Sequence, residues 1–230
     1  MAVRTRRERV LTFFFVPALV FAVIVLLGVT FRNSFQLEKL REQSVVEATL
    51  TLANEKADRL DKRIIEQDNA VLSLVDVTDR DGFGQQWLKV AARQTPTISN
   101  LFLVDLDSPA QEVVAFATRV PPLQAEAERR VFVRELLPEL EQGEPRTQLR
   151  HLHKTVDGQS HLVSYWQREA RGRRLLLAAW HDVPRVVHDL FPALYSERDQ
   201  NTRVNVVDES SRVVFGPRLT RGSFTLGRRF

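Results

Sequence analysis

The chain has 230 residues, contains no cysteine and carries a formal net charge of +4, with a pI near 9.8. The lack of cysteine excludes a disulfide framework, thiol catalysis and a cysteine-ligated metal. The charge lies at the ends: residues 1–9 carry four arginines and one glutamate, and residues 203–230 carry six arginines against Asp208 and Glu209. The segment between them is net acidic, so the charge indicates membrane topology rather than nucleic-acid binding.

An apolar segment near the amino terminus predicts a membrane anchor. No charged side chain occurs from Val10 to Phe31, and Arg4, Arg6, Arg7 and Arg9 precede this run. As a helix the run would cover about 33 Å, which exceeds the roughly 30 Å of a bilayer core. It is too long for a cleaved signal peptide and lacks a small-residue cleavage site. We expect a cytoplasmic tail over residues 1–9, a transmembrane helix over 10–31 and a periplasmic region over 32–230 of a bacterial inner-membrane protein.

A long amphipathic helix is predicted next, because no glycine or proline occurs from Gln36 to Val77. Its apolar stripe follows the alternating spacing of four and three residues that a coiled-coil seam requires. This spacing predicts a parallel homodimer with Gln67 setting the register, although the stripe could instead pack only on its own domain. The predicted seam consists of Val46, Leu50, Ala53, Ala57, Leu60, Ile64, Gln67, Val71 and Leu74.

The remaining elements alternate between helices and short strands. A glycine-containing loop over 79–84 ends the long helix. The patterns then predict a helix over 85–94, strands over 98–105 and 112–119, a helix over 125–141, a hairpin over 148–156 and 159–167 around Asp157-Gly158, a strand over 175–180, a helix over 183–195 that Pro192 shortens, and strands over 203–208 and 212–215. This order predicts an α+β fold with an antiparallel sheet.

The hairpin contains His151, His153 and His161, a residue type that can ligate zinc. The Asp157-Gly158 turn pairs Lys154 with His161, which points His161 away from the other two histidines. The register therefore disfavours a three-histidine metal site, and no metal or other cofactor is expected.

No catalytic site is predicted in this chain. Two His-Asp neighbours, His181-Asp182 and His188-Asp189, lack a serine in a nucleophile elbow. Asp105, Asp107, Asp208 and Glu209 lie in turns, where an aspartate bonds its own backbone. Gly82-Phe-Gly84 lacks the lysine of a phosphate loop.

Three segments resemble the extracytoplasmic Cache (PAS-like) sensor domains of bacterial histidine kinases and chemoreceptors. They are Pro96-Thr-Ile-Ser-Asn-Leu-Phe-Leu-Val-Asp105, Leu175-Leu-Leu-Ala-Ala-Trp-His-Asp-Val183 and Val204-Asn-Val-Val-Asp-Glu-Ser-Ser-Arg-Val-Val-Phe-Gly216. The apolar-Asp-x-x-Gly-apolar turn of the family occurs near 105 and again near 208, which suggests a double-Cache arrangement. The Tyr-x4-Arg-x-Trp-Tyr motif of the amino-acid-binding members has no equivalent here, so a free amino acid is not the expected ligand.

The resemblance implies a signalling helix over 32–78, a membrane-distal Cache domain over 79–197 and the start of a second, truncated PAS-like unit over 198–230. It also implies a pocket between the sheet and the segments that cross it, for an unidentified small-molecule or protein ligand. The candidate ligand-binding residues are Arg119, Tyr165 and Asp182. An arginine can bind a carboxylate and an aspartate can balance an amine, whereas the structural alternatives are a solvated arginine, a core tyrosine and a helix cap.

These observations lead to a functional hypothesis. The chain is expected to be the amino-terminal, ligand-sensing and signal-transducing part of an inner-membrane receptor, with any histidine kinase activity in a cytoplasmic part outside it. The alternative is a bitopic scaffold of a cell-envelope machine, such as a pilus-alignment or secretion component. A second apolar span and a kinase core encoded after Phe230 would favour the receptor, and a stop codon there would favour the scaffold.

Overall fold

A computed structural model describes residues 6–109, 111–141, 148–195, 205–207 and 212–216. It confirms an α+β fold with a long amino-terminal helix and a five-stranded antiparallel sheet. The chain forms two compact units, Met1–Asn54 and Glu55–Phe230. The segments predicted as separate anchor and signalling helices form one continuous helix, α1 (Arg6–Leu74).

The amino-terminal part of α1 is apolar and exposed. Phe14, Phe21, Leu26 and Phe31 each expose about two thirds or more of their surface. By length and composition this helix could cross a membrane. A single membrane span and a signal sequence near the amino terminus both meet this criterion of length and composition.

The sheet has the strand order β2-β1-β5-β4-β3, with every neighbouring pair antiparallel. The strands are β1 (Ile98–Asp105), β2 (Val113–Thr118), β3 (Arg150–Val156), β4 (Gln159–Ala170) and β5 (Arg173–His181). Val156 pairs with Gln159 and Lys154 pairs with His161, so the hairpin register predicted from Asp157-Gly158 is confirmed. All of β1 is buried, because helices cover both faces of the sheet centre.

The connecting helices are short. Helix α2 spans Gln85–Gln94, and α3 spans Pro122–Val131 before a π turn at Phe132–Leu136 and a 3-10 turn at Leu137–Glu139. Helix α4 (Val183–Arg185), a π turn (Val186–Leu190) and α5 (Phe191–Tyr195) follow β5. Pro192 was expected to shorten this last helix, but the helical residues continue to Tyr195. A wide π turn precedes the proline and gives room for a residue that has no amide donor.

Two apolar layers lie on opposite faces of the sheet. The α1 face carries Leu101, Leu103, Trp166 and Leu177, which pack with Val71 of α1 and with Trp87 and Ala91 of α2. The α3 face carries Phe102, Val104, Tyr165, Leu176 and Trp180, which pack with Phe132, Leu136, Leu137 and Leu140. The rings of Phe102 and Phe132 stack with their centroids 3.9 Å apart.

A third apolar cluster lies beside α4 and α5, where Leu60 and Ile64 of α1 pack with Leu162, Val186 and Phe191. A separate two-stranded sheet, β6 (Val206–Val207) and β7 (Val213–Phe215), packs against this cluster through Val206 and Phe215. Residues 203, 204 and 208 of the predicted strand lie outside the described residues, so the second PAS-like unit stays a prediction.

Candidate functional site

A buried polar network joins α1 to the sheet. Gln67 and Asp68 are neighbours on α1, and both face inward. The Gln67 side-chain oxygen accepts hydrogen bonds from the Thr97 amide at 3.0 Å and from the Thr97 hydroxyl at 2.8 Å. Asp68 Oδ1 lies 3.0 Å from His181 Nε2, at the end of β5. The network therefore contacts the sheet at two adjacent points.

Two further side chains complete the network. Ser164 Oγ, on β4, lies 3.0 Å from His181 Nε2. His151 Nε2, on β3, lies 3.1 Å from the second oxygen of Asp68. Asp68 and His181 have no exposed side-chain surface, whereas the His151 side chain is 29% exposed. His151 therefore links the buried pair to solvent.

The hydrogen-bond pattern assigns the protons of His181. The Gln67 oxygen accepts from a backbone amide, so its orientation is fixed, and the Thr97 hydroxyl must give its only proton to that oxygen. His181 Nδ1, 3.0 Å from the same hydroxyl, must then donate to it. Its Nε2 faces the Asp68 carboxylate, which only accepts when ionised.

Burial alone would raise the pKa of the Asp68 carboxyl. Hydrogen bonds from His151, His181 and Ser164, together with the charge of His181, outweigh this effect and lower the pKa of Asp68 below its usual value. Asp68 is thus held as a carboxylate inside the protein by hydrogen bonds from His151, His181 and Ser164, which lie on three different strands.

The residue types of this network are those of a serine-hydrolase triad, but the geometry is not. A triad places the serine and the carboxylate on opposite nitrogens of the imidazole. Here Ser164 Oγ and Asp68 Oδ1 both face Nε2, and Thr97 occupies Nδ1. Ser164 is also buried in the middle of β4. The arrangement joins elements together and has no accessible nucleophile.

The predicted ligand residue Arg119 is used structurally. Its Nη1 donates to the carbonyl oxygens of Thr95, Pro96 and Ile98, each at 3.2 Å. Burial and the neighbouring Arg185 lower the pKa of Arg119, and the charge of Asp182 acts in the opposite direction. The guanidinium therefore ties together the segment that leads into β1.

Asp182 caps the turn that follows β5. Its Oδ1 accepts from the Arg185 amide at 3.4 Å, and its Oδ2 pairs with the Arg185 guanidinium at 3.1 Å. Asp182 therefore acts as a helix cap, which is the structural alternative that the sequence left open. Arg119 and Asp182 lie close enough for their charges to interact. A role for either in ligand binding stays a prediction.

Tyr165 lies apart from these two residues, on the α3 face. It is buried in the apolar layer, and its hydroxyl accepts from the Glu141 amide at 3.3 Å. The structure therefore brings Arg119 and Asp182 together but not Tyr165.

The α3 face carries a smaller polar cluster. The Asn100 amide group donates to Glu128 of α3, and its oxygen accepts from Thr118 at 2.6 Å. His161 stands edge-on to Trp180 on the same face, with centroids 5.0 Å apart. Burial lowers the pKa of His161, and the charge of Glu128 partly offsets this effect. Within the part of the chain that the structure describes, no group of three histidine, cysteine, aspartate or glutamate side chains could hold a metal ion.

The predicted dimer seam has two different environments. Val46 and Ala53 are half-buried and Leu50 is exposed, all in the amino-terminal unit. The members that pack within the second unit are Ala57, Leu60, Ile64, Gln67, Val71 and Leu74. These six residues therefore pack on the chain's own domain, which is the second of the two interpretations that the sequence left open. The dimer itself stays a prediction.

Three residues of the network were not predicted from the sequence: Asp68, Ser164 and Thr97. A usable signal was present, since Ile64, Gln67, Asp68 and Val71 follow the spacing of a buried helix face. Two adjacent polar residues on such a face indicate a buried polar contact. Their partners are 30 and 113 residues away in sequence, and no local pattern identifies them.

No protein-family model matches this sequence. No curated protein matches it at a significant level.

Proposed function

We propose that this chain is the extracytoplasmic sensing and signal-transducing region of a bacterial inner-membrane receptor, with a two-component sensor histidine kinase as the favoured receptor type. The observation that carries the proposal is helix α1. It contains an apolar span near its amino terminus and ends in a buried polar network on the sheet. A change in the sheet can therefore act directly on the helix that leads to the membrane.

The sheet agrees with the antiparallel sheet that the resemblance to PAS-like sensors implies. Its strand order is β2-β1-β5-β4-β3. The long connection from β2 to β3 crosses one face of the sheet, and α3 and its following turns lie on this connection. The amino-terminal helix packs on the opposite face.

The proposal places the homodimer contact on residues 46–53. Val46, Leu50 and Ala53 continue the apolar stripe into the part of α1 where these side chains keep exposed surface. Leu60, Ile64 and Val71 of the same stripe pack within the chain's own second unit, so they are not available to a second copy. Anchoring of two copies in one membrane raises their effective concentration, which favours contact between the remaining exposed members of the stripe, residues 46–53.

Cysteine crosslinking in membranes tests this function. The chain has no cysteine of its own, so Val46→Cys, Leu50→Cys and Ala53→Cys can each be examined alone. We expect disulfide-linked dimers at these positions and none at Glu47→Cys, an exposed matched control one residue from Val46. The sequence alone would also predict crosslinks at 57, 60 and 64, whereas burial of these residues predicts little crosslinking there.

Two results would contradict the proposal. Equal crosslinking at Val46→Cys and Glu47→Cys would mean random encounter rather than a seam. Fusions that place Gly158 in the cytoplasm, as judged by alkaline phosphatase and green fluorescent protein reporters, would contradict the membrane orientation. A dimer with the predicted orientation and no response to any stimulus would favour the scaffold alternative.

The stimulus can be sought by thermal-shift screening of the full chain in detergent. A small carboxylate is the first class to test, because the Arg119 guanidinium could pair with it. A carboxylate that raises the melting temperature of the wild-type chain but not of Arg119→Lys would support the predicted pocket. An equal shift in both proteins would exclude Arg119 from ligand binding.

A further inference from the structure

The buried face of α1 carries two polar residues in an otherwise apolar pattern. Residues four apart form a row along a helix, and a row that packs on the sheet reads Leu60, Ile64, Asp68, Leu72. Leu60 and Ile64 lie in the third apolar cluster, and Leu72 packs against the apolar layer on the α1 face of the sheet. Gln67 interrupts the adjacent apolar stripe in the same way. Both interruptions belong to the buried network.

We propose that the network fixes the register of α1, which means that it permits one position of the helix along the strands. Gln67 bonds the segment before β1, and Asp68 bonds side chains of β3 and β5. In the receptor proposed above, on which this role in signalling depends, α1 and the sheet therefore move as one body. The signal passes by their joint movement, and sliding of α1 along the sheet is excluded.

Movement by one helical turn is the shift that an apolar helix face tolerates best. Packed elements can move past each other in steps of one turn, about 5.4 Å, because similar side chains then take one another's places. A step toward the amino terminus brings Asp68 to the place of Ile64, and the opposite step brings it to the place of Leu72. Both places are apolar. At either one, the carboxylate is without its contacts to His181 at 3.0 Å and His151 at 3.1 Å, which is strongly unfavourable for a buried charge.

The same step leaves His181 without its charged partner. Ile64 or Leu72 then takes the place of Asp68 beside the fully buried imidazole, and neither side chain accepts a hydrogen bond. An apolar residue at position 68 would make the row 60-64-68-72 apolar throughout, and these registers would then differ little in free energy. The polar pair therefore acts mainly against the alternative positions of α1.

Replacement of the whole network by apolar side chains tests this role. The apolar variant combines Gln67→Leu, Asp68→Leu, Ser164→Ala and His181→Leu. The Thr97 amide loses its side-chain acceptor in every register, so this loss favours none of them. Replacement of a complete buried polar set is often neutral, whereas removal of one partner is destabilising. The melting temperature of the apolar variant should therefore lie above that of Asp68→Ala.

Double electron–electron resonance on the full chain in nanodiscs measures the position of α1. Spin labels at Lys62→Cys on α1 and Glu169→Cys on β4 occupy exposed positions of the second unit, and the chain has no other cysteine. Ile64 packs near Leu162 at the start of β4, while Glu169 lies near its end, so the measured distance follows the length of the strand. The wild type should give one narrow distance. The apolar variant should give a second population displaced by about 5 Å, the rise of one turn.

Val71→Ala is the matched control for this measurement. It removes apolar packing from the same face of α1 and keeps the network, so it should lower the melting temperature and keep the single distance. A single, wild-type distance in the apolar variant would overturn the proposal, since apolar packing alone would then fix the register.

Two further results would also overturn it. Two distances in the wild-type chain would show that the network does not select one register, and this measurement needs no change to the network. An apolar variant that fails to fold would show that the network holds the fold together rather than selecting a position.

The crosslinking experiment is independent of these outcomes. Loss of crosslinking at 46, 50 and 53, with one distance in the wild type and two in the apolar variant, would reject the dimeric receptor and keep the role in fixing the register. Crosslinking at those positions with one distance in both proteins would do the reverse.

Discussion

Removal of the Asp68 carboxylate measures how strongly the network holds α1 on the sheet. Asp68→Ala deletes the acceptor for His181 at 3.0 Å and for His151 at 3.1 Å. The His181 ring stays buried with a donor that has lost its charged partner. The substitution also leaves a space the size of a carboxylate between α1 and the sheet.

The expected loss of stability follows from burial. Breaking a fully buried pair by removing one partner costs about 3–5 kcal/mol. Asp182→Ala is the matched control, because it removes the same side chain from a partly exposed position directly after His181. Loss of a helix cap costs about 0.5–2 kcal/mol. The two variants should therefore differ by at least 1 kcal/mol or so.

Tryptophan fluorescence during urea unfolding in detergent is a suitable assay, since Trp87, Trp166 and Trp180 are all buried in the second unit. A double-mutant cycle with His181→Ala would give the coupling between the two side chains, which we expect to exceed about 1 kcal/mol. Equal losses for Asp68→Ala and Asp182→Ala, with no coupling in the cycle, would refute the argument that the network holds the helix.

Further predictions concern packing, turn geometry and pH. Phe132→Ala, which removes the ring stacked 3.9 Å from Phe102, should lower the free energy of unfolding by about 3–5 kcal/mol, whereas Phe132→Leu should lose clearly less. Gly84→Ala should be more destabilising than Gly158→Ala: both glycines have positive φ, but a Cβ at Gly84 would lie 2.3 Å from the Ala117 Cβ and one at Gly158 would meet nothing within 4 Å. Because the pKa of His161 is lowered in the fold, its neutral ring stabilises the protein above the unfolded value of about 6.5, and this contribution is lost as the pH falls below it. The melting temperature of His161→Gln should therefore decline less than that of the wild type between about pH 6.5 and 5, and an equal decline would reject this assignment. The lowered pKa of Asp68 has the same sign, so the stability difference between wild type and Asp68→Ala should shrink as the pH falls below about 4.

Local signals predicted the elements of this fold well. Helix α2 and strand β1 have the predicted boundaries, 85–94 and 98–105. Glycine, which can adopt the left-handed backbone found at Gly84, precedes α2, and Thr95-Pro96, where the proline disfavours helix, lies between α2 and β1. The hairpin register follows from its two-residue turn, because that turn determines which residues face each other.

Contacts between distant segments were beyond a single sequence. The stripe on α1 predicted a buried face but could not identify what covers it, since a second copy and the chain's own sheet both satisfy an apolar pattern. The predicted strand over 175–180 is apolar throughout, and neither it nor the adjoining His181 gave any indication of a carboxylate on a helix more than 100 residues earlier. Tyr165 and Arg119 were grouped by residue type, whereas the alternation of side chains along β4 places Tyr165 on the α3 face.

The position of the polar network within α1 bears on what it does. Leu60 and Ile64 on one side of it and Val71 on the other already pack α1 on apolar residues of the second unit. Apolar side chains at 68 and 181 could extend that packing, and such replacements are often neutral or stabilising. If apolar contacts alone held α1 on the sheet, however, placements of the helix shifted by a residue or so would have similar free energies. Gln67 bonds Thr97, and Asp68 bonds His151 and His181, so a shift of α1 by one residue would leave a buried carboxylate without its donors. The network therefore makes one position of α1 along the sheet strongly preferred.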